Sequence, residues 1–459
     1  MKELRIILAL PFLAISLWAT EPAASTLVLP EQLFPKLDEI IKASVQQSPR
    51  MISRALDLEI AENVRLQARS NLLPNVNATY GYNKSNDDSK YLYGPGNPNN
   101  SSNSYTVTKT PYSLILSQPL FYWGEKRNNY KVGQIQETIS KGQYREGYRL
   151  LVQEIRASYL HLIVQKLAVR RNRYFLEYTN TRLKEQEDRF AKNFISGTEI
   201  ASARLNAEQA QIAQEHTEFD FETAKQSFAR LTGLASIADE SIPDSIPTIT
   251  YAPEPIAQLL AGYLAQKDPP TSEAFTLRHQ IEIDRLNLAT TKTGLRPKIS
   301  AVMGLAQDEQ NNFYGTGVKY SVTSKYAGLS MNWNIFDGLS SQSAVRISLA
   351  THRKLEMDYR QMTERLASDA QTLVKQLYFS ARNMNLYDRF SSSSEANLKQ
   401  VKEDFDRGVR SESEVGLAQL NLYDTQLSAG TSRKDFLLMT GDFLGMLVED
   451  PALVNISNK

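Results

Sequence analysis

Residues 339–407 read LSSQSAVRISLATHRKLEMDYRQMTERLASDAQTLVKQLYFSARNMNLYDRFSSSSEANLKQVKEDFDR, a stretch without glycine or proline that Gly338 and Gly408 bound. The absence of helix breakers over this length predicts a single α-helix. Such a helix would be roughly 100 Å long, about three times the thickness of the hydrocarbon core of a bilayer. A compact domain cannot enclose it, so the chain must be elongated.

The apolar residues of this stretch form a narrow stripe at Tyr359, Met362, Leu366, Leu373, Leu377 and Met384. Their steps of three, four and seven residues are typical of a coiled-coil seam. The residues between them are mostly charged or polar. We therefore expect a helix that lies against other long helices and exposes most of its surface to water.

The same plan occurs twice along the chain. An offset of 223 residues relates Pro74 to Pro297 and Gly81 to Gly304. After the second hairpin, whose tip is shorter, the offset falls to 215 and relates these pairs: Phe121 and Phe336, Phe190 and Phe405, Asn193 and Gly408, Ile200 and Val415, Ala203 and Ala418, Asn206 and Asn421. Two unrelated helical hairpins would not keep one offset across a turn, so the pattern indicates an internal duplication.

The duplication divides the chain into two repeats joined by a proline-rich linker. Each repeat holds a β-hairpin, a long helix and a returning helix. The expected segments are a signal peptide (1–19), repeat 1 (31–233, with hairpin 75–120, long helix 125–192 and return helix 199–231), a linker (234–270) and repeat 2 (271–450, with hairpin 298–336, long helix 339–407 and return helix 411–448).

The amino terminus has the layout of a secretory signal. Lys2 and Arg5 precede an apolar run over residues 6–18, and cleavage is expected near Ala19. The alternative is a retained anchor, for which the run is short.

The two hairpins alternate polar and apolar residues, as strands with one wet face do. Residues 84–104 are rich in Asn, Ser, Asp and Gly and are expected to form a loop. In the fourth strand one side carries apolar residues, which predicts a face toward lipid: Ala327, Leu329, Met331, Trp333 and Ile335. Four strands cannot close a barrel, and an open edge in lipid leaves backbone groups unsatisfied. Closure therefore requires more than one chain.

Two tryptophans, Trp123 and Trp333, fall at the helix-proximal ends of the second and fourth strands. An interfacial aromatic girdle would lie there. Packing inside a soluble sheet is the alternative role for both side chains.

Composition excludes several classes of function. The 52 basic and 51 acidic residues balance, so nucleic acid is not an expected partner. There is no cysteine, and the four histidines (His161, His216, His279 and His352) are far apart without metal-ligand spacing. No catalytic motif is present. We expect neither an enzyme nor a protein with a metal or cofactor.

The duplicated plan, the turn FDRGVRS over residues 405–411, and the following Glu414, Val415, Ala418 and Gln419 resemble the TolC-type outer membrane efflux proteins. The resemblance covers essentially the whole mature chain. It implies an α+β, mainly helical homotrimer, with a twelve-stranded barrel in outer membrane lipid and a periplasmic tunnel of twelve helices. It also implies a passive exit duct for efflux or type I secretion, which docks on a periplasmic adaptor and an inner-membrane transporter.

In that family the tunnel closes at its periplasmic tip through charged residues. By position, Arg410 falls on the gate arginine, Glu199 on its acidic partner and Glu414 on the first acidic ring. Leu417 falls where a second acid is found and Phe405 where a tyrosine contributes to the lock, which implies a weaker gate. Ordinary solvated helix charges are the alternative.

The helix-turn tips are expected at Asn193, Gly197 and Gly408. Asn193 stands where the family has the glycine of the first turn, and Asn tolerates the left-handed conformation better than most residues. Two other classes of envelope protein carry long helices. A periplasmic adaptor would show one helical hairpin beside small barrel segments, and a coiled-coil adhesin would show a repeated stalk without return helices.

Overall fold

The computed structural model describes residues 27–91, 95, 96, 98, 99, 101–312 and 317–456. The expected signal peptide lies outside these residues. The α-helices of the described residues are α1 (Pro30–Leu33), α2 (Pro35–Gln47), α3 (Pro49–Ser70), α4 (Glu125–Ala191), α5 (Gly197–Thr232), α6 (Glu254–Leu264), α7 (Ser272–Thr291), α8 (Ser340–Asp406) and α9 (Glu412–Leu447). Short 3-10 turns lie at Asp239–Ser241 and Pro451–Ile456.

The duplication is evident in the helices. The two long helices, α4 and α8, each have 67 residues, and the two returning helices, α5 and α9, each have 36. The same offset of 215 residues relates both pairs. Each of these helices begins and ends within two residues of the bounds expected from the sequence, because few helix breakers interrupt the chain between the turns.

The strands are β1 (Asn75–Tyr80), β2 (Asn83–Tyr91), β3 (Ser101–Lys109), β4 (Tyr112–Phe121), β5 (Lys298–Asn311) and β6 (Tyr320–Asn332). β1 continues into β2, and β3 into β4, across a short break where Gly81 donates a backbone hydrogen bond to the carbonyl of Pro111 (2.8 Å). The six strands therefore form two antiparallel hairpins, which pair through β4 and β5.

The prediction that residues 84–104 form a loop is wrong for most of this range. β2 and β3 pair continuously, from Asn83 opposite Lys109 to Tyr91 opposite Ser101. Their polar composition does not prevent pairing, because β1 and β4 already hold the two backbones in register and each further residue adds to an existing ladder. The first hairpin therefore spans almost the predicted residues, 75–121, but its strands are much longer and its tip loop much shorter than predicted.

One face of the sheet is apolar. The ladder places Leu116 opposite Met303 and Met303 opposite Ala327, so side chains from neighbouring strands share that face. Several of them are exposed, with 57% for Met303 and 73% for Leu329. The other face of β1, β4, β5 and β6 carries Ser, Asn, Thr or Gly at about half of its positions. Alternation in β6 is as expected, but the strand ends at Asn332, opposite the first residue of β5, so Trp333 and Ile335 lie beyond it.

The hydrophobic core lies halfway along the long helices. Tyr148, Leu151 and Ile155 of α4 are completely buried there, as are Leu377 and Met384 of α8. The amino-terminal segment, α2, the linker and the end of α9 pack around them. Of the seam predicted on α8, Met362 and Leu366 are also buried, while Tyr359 and Leu373 are half-buried.

The linker is part of this core. Ile242, Ile246 and Ile256 are buried at 1% exposure or less, so the proline-rich segment is held by packing. The linker therefore adds to the core only near the middle of the long helices. Above and below the core, the helices continue as pairs.

Helix α4 is the centre of the helical part, because it packs against α3, α5, α7 and α9. Glycines on α9 allow a close approach to it. A Cβ atom at Gly416 would lie 2.7 Å from the ring of Tyr178, and one at Gly430 would lie 2.8 Å from a methyl carbon of Leu167. Larger side chains at these glycines would push α9 away from α4.

A buried arginine ties both ends of the described chain to α4. Arg156 has no exposed surface, and its guanidinium donates to both oxygens of Asp450 (2.5 and 2.9 Å) and to the carboxylate of Glu31. These two acids hold the pKa of Arg156 above its usual value, although burial opposes the shift. The charge is thus fully paired, as a buried charge must be.

Candidate functional site

The residues predicted to form a gate lie in the two turns that join each long helix to its returning helix. Contacts between α4 and α9 run from Arg149 beside Gly445 to Tyr178 beside Gly416. The helices are therefore antiparallel, and the end of α4 lies alongside the start of α9. Both turns are consequently at one end of the protomer, far from the sheet.

The two turns have the same backbone conformation. Asn193 and Gly408, each just after its long helix, have positive φ angles of 57° and 74°. The next residue in each turn, Phe194 or Val409, donates its backbone N–H to a carbonyl five residues earlier (both 2.9 Å). This closes the helix as a Schellman motif does. Asn193 thus takes the left-handed conformation that the sequence required of it.

Each returning helix begins with a capping box. The Glu199 carboxylate accepts the backbone N–H of Ser196 (2.8 Å), and the Ser196 hydroxyl accepts the N–H of Glu199 (3.3 Å). Ser411 and Glu414 repeat the arrangement, with distances of 2.8 and 3.4 Å. Both predicted gate acids therefore also cap helices. The signal in the sequence is Ser-x-x-Glu, which our prediction did not use.

Arg410 pairs with Glu414 within the protomer. Its guanidinium donates to Glu414 Oε1 (2.6 Å), while the other carboxylate oxygen caps the helix. The Ser411 backbone N–H, and then Arg410, lower the pKa of Glu414, and the same pair raises the pKa of Arg410. Both side chains are exposed, so the pair is open to water. Within the described protomer Arg410 and Glu199 bond these other partners and not each other, so the link between them stays a prediction about how copies of the chain meet.

The other tip residues are exposed. Leu417 lies one helical turn after Glu414 with 48% of its surface accessible, and Phe405 has 41%. Gly197 is the first residue of α5 and has open space around it. The sequence analysis missed Phe194 and Val409, which are the most exposed apolar side chains of the tip at 76% and 72%. The sequence could have identified them, because in both repeats an apolar residue directly follows the residue with the positive φ angle.

At the opposite end, the two tryptophans flank the sheet. Trp123 donates its ring N–H to the carbonyl of Pro297 (2.8 Å), and Trp333 donates to that of Leu295 (3.0 Å). Both therefore bind the same connection between α7 and β5. The guanidinium of Arg296 lies 4.7 Å from the Trp123 ring. Their place at a membrane interface stays a prediction.

Within the described residues, no group of three histidine or acidic side chains is arranged to hold a metal ion. The histidines are apart from one another. His216 lies 2.9 Å from Asp220 on the same helix, and His352 bonds Asp284 across α7 and α8 (3.0 Å). Across the same part of the chain, none of the helices has an apolar stretch long enough to cross a membrane.

Comparison with known families gives the class of protein. The family model for outer membrane efflux proteins matches residues 40–234 and 277–435, which is well over half of the chain. The chain belongs to this family. The resemblance recognised in the sequence is thereby confirmed, and the two matched ranges correspond to the two repeats. None of the curated protein sequences is a match.

Solved structures share the fold of this efflux protein. VceC of Vibrio cholerae has a TM-score of 0.64 at 14% identity, covering 91% of this chain and 97% of that one. The CmeC outer membrane channel of Campylobacter jejuni has a TM-score of 0.69 at 13% identity, covering 92% and 88%. The MtrE outer membrane channel of Neisseria gonorrhoeae, in its open state, has 0.64 at 14%, covering 90% and 89%.

These similarities confirm the predicted fold class, a mainly helical protein with a small sheet, built from two repeats. They also agree with the prediction on catalysis, because the family and the similar folds are those of efflux proteins and channels, not of enzymes.

Proposed function

We propose that this efflux protein is a trimeric duct, with a twelve-stranded barrel in the outer membrane and a helical tunnel in the periplasm. The observation that carries the proposal is the sheet. With β1 and β2 counted as one interrupted strand, and β3 and β4 as another, each chain supplies four strands. The edge strands β1 and β6 each have one partner, and an exposed apolar face spans β1, β4, β5 and β6. In lipid such edges must be closed by further strands, and three copies supply twelve.

The helical part supports the same assembly. Helices of about 100 Å reach well beyond one bilayer, and their exposed surfaces are largely polar. Three copies of the helices would continue the barrel as a tunnel with its far end at the two tip turns. The protein itself then carries substrate passively, and the energy comes from elsewhere.

The tip is the proposed gate and docking end. Glu199, Arg410 and Glu414 lie in the two turns there, and three copies would place rings of charge around the axis. The exposed apolar side chains of Phe194 and Val409 could be buried in an interface with a partner protein. We propose a periplasmic adaptor as that partner and an inner-membrane transporter as the pump, forming a tripartite efflux or type I secretion system.

Reconstitution tests the duct. The purified mature protein, added to a planar lipid bilayer, is expected to produce discrete single-channel currents, and a heat-unfolded sample is the control. A folded protein that produces no channels would contradict the proposal. Profiling of a deletion strain against toxic compounds, metals and secreted proteins then assigns the cargo, since loss of the duct removes one of these exports.

A further inference from the structure

The apolar face of the sheet carries a lysine, Lys325 of β6. The strand register arranges the side chains of this face in rows that cross β1, β4, β5 and β6. The other members of the row of Lys325 are apolar: Ala78, Leu114 and Leu305. The next row toward the helices is apolar throughout: Val76, Leu116, Met303 and Ala327. Among the described residues of these four strands, Lys325 is the one charged side chain on this face up to and including its own row.

The row on the other side of Lys325 is polar and rich in tyrosine. Its members are Tyr80, Tyr112, Gln307 and Thr323. The Tyr112 hydroxyl donates to Gln307 Oε1 (2.6 Å), and the Thr323 hydroxyl donates to the same oxygen (3.5 Å). A tyrosine-rich row above an apolar band is typical of the interface between a membrane and water. Lys325 therefore lies one row inside that interface.

Lys325 has no counter-charge within the described chain. Its side chain forms no ion pair or hydrogen bond with a described residue. The acid on the same face of β5, Glu309, is two rows away and pairs with Lys319 (2.6 Å). An ammonium group has three donors and no acceptor, so it needs anions or water around it.

The ammonium of Lys325 can reach the interface. Thr323 is two residues along the strand, which is about 7 Å. A lysine stem packs along an apolar surface while its charged end extends to the polar layer. The charge is thus held at the level of lipid headgroups, and the stem stays among apolar residues.

A shallow groove runs from Lys325 over the apolar rows. Its apolar side chains are Val76, Leu114, Leu116, Met303, Leu305 and Ala327. Met303 is 57% exposed and Leu114 46%, so the protomer leaves this surface uncovered. The groove offers contact to hydrocarbon chains and ends at a cation.

We propose that Lys325 binds the phosphate of a membrane lipid whose acyl chains lie in this groove. The proposal rests on the function proposed above, which places this face in the outer membrane, and it adds a class of lipid and a site. β1 and β5 follow helices α3 and α7, so the row of Lys325 lies at the side of the membrane away from the helical tunnel. The lipid therefore belongs to the outer leaflet, with one site in each chain.

An acid from a neighbouring copy is the alternative occupant, because β6 is an edge strand. The other edge strand, β1, contains no acidic residue. The acids that follow it are Asp87 and Asp88 of β2. The variant with Asp87→Asn and Asp88→Asn therefore separates a protein partner from a lipid.

Mass spectrometry of the intact particle tests the site. The purified mature protein in mild detergent is mixed with lipid A that carries its phosphates, or with the same lipid after their removal. The native protein is expected to retain the phosphorylated lipid, up to one molecule per chain. Lys325→Gln should bind it about fivefold more weakly, since it removes one lysine near an anionic headgroup. Lys325→Arg keeps the charge and should retain the lipid.

The matched control is Lys90→Gln, which removes the same charge from the exposed far part of the first hairpin and should not change retention. A trimer that retains both lipids equally, or loses no more lipid with Lys325→Gln than with Lys90→Gln, overturns the lipid site and leaves the duct intact. A particle with a single chain overturns the duct as well.

The temperature at which the trimer separates in denaturing detergent is an independent readout. The phosphorylated lipid is expected to raise it for the native protein and not for Lys325→Gln. Without added lipid, Lys325→Gln and the native protein should separate at the same temperature. If Lys325→Gln lowers the temperature without lipid, and the variant with Asp87→Asn and Asp88→Asn lowers it equally, the lysine pairs with a neighbouring copy and the lipid proposal is overturned.

Discussion

The buried cluster of Arg156, Asp450 and Glu31 gives the largest effect expected of a single substitution. Arg156→Met keeps most of the side-chain volume and removes the charge. Asp450 is then left 1% exposed and Glu31 12% exposed, without their shared cation. Removing one partner of a buried ion pair costs about 3–5 kcal/mol of folding free energy. The loss should fall mainly on the segments that this arginine holds.

The assay is hydrogen exchange of the protein in detergent, followed by a thermal scan. Faster exchange is expected in residues 27–33 and 450–456, together with a lower unfolding temperature. Arg204→Met is the matched control, because Arg204 pairs with Glu187 at 3.3 Å with both side chains about half exposed. Such a pair is worth at most about 1 kcal/mol.

A second variant separates charge from packing. Arg156→Met together with Asp450→Asn removes one of the stranded carboxylates and should recover part of the loss, because the cost lies in the unpaired buried charge. If Arg156→Met exchanges and unfolds like Arg204→Met, the cluster does not fasten the two ends and the reasoning is refuted.

Three more predictions concern the helices and their tip. Arg410→Ser should raise the single-channel conductance in planar bilayers, and Glu414→Ala should weaken block by multivalent cations. If the double variant changes neither property, both residues are ordinary solvated charges and have no part in a gate. The folded pKa of Glu414 lies below its ordinary value, so its pairing is intact above that value, about 4.3, and is lost as pH falls through the folded pKa. Block by multivalent cations through Glu414 should therefore persist at pH 6 and weaken only as the pH falls below that ordinary value, and a loss of block already at pH 6 would exclude Glu414 as its site. Gly416→Leu should lower the unfolding temperature, since even a Cβ there would lie 2.7 Å from Tyr178; Gly197→Leu, which meets open space, is the control.

The long helices were predictable because their signals are local. Gly338 and Gly408 enclose the second, and the seam from Met362 to Met384 follows coiled-coil spacing that needs no knowledge of the partner. The duplication then supported the prediction of a matching long helix in the first repeat. The end of β6 at Asn332 could not be predicted from the local sequence, because it depends on where the paired strand β5 begins.

The extended first hairpin was missed for a related reason. Residues such as Asn86, Asp87 and Asp88 have low strand propensity and read as a loop. They form β2 because β3 faces them along its whole length, in a register set at Tyr80 and Tyr112. Backbone pairing there outweighs side-chain preference.

At the tip, the position of a residue in the sequence predicts its place in the fold but not its partner. The family resemblance assigned Glu199 and Glu414 to the turns, and both lie in the first turn of a returning helix. Their part in a capping box is also local and was open to prediction. The partner of Glu199 across the tunnel is not, because a contact between helix pairs depends on how several chains meet.

The mass of the purified mature protein in mild detergent tests the central claim most directly. Each described protomer has a sheet with two unclosed edges, at β1 and β6. The account predicts three copies in one particle, stable on dilution. A particle with one copy that retains its helix and strand content would contradict it, because a folded single chain would then need no partner to close its sheet.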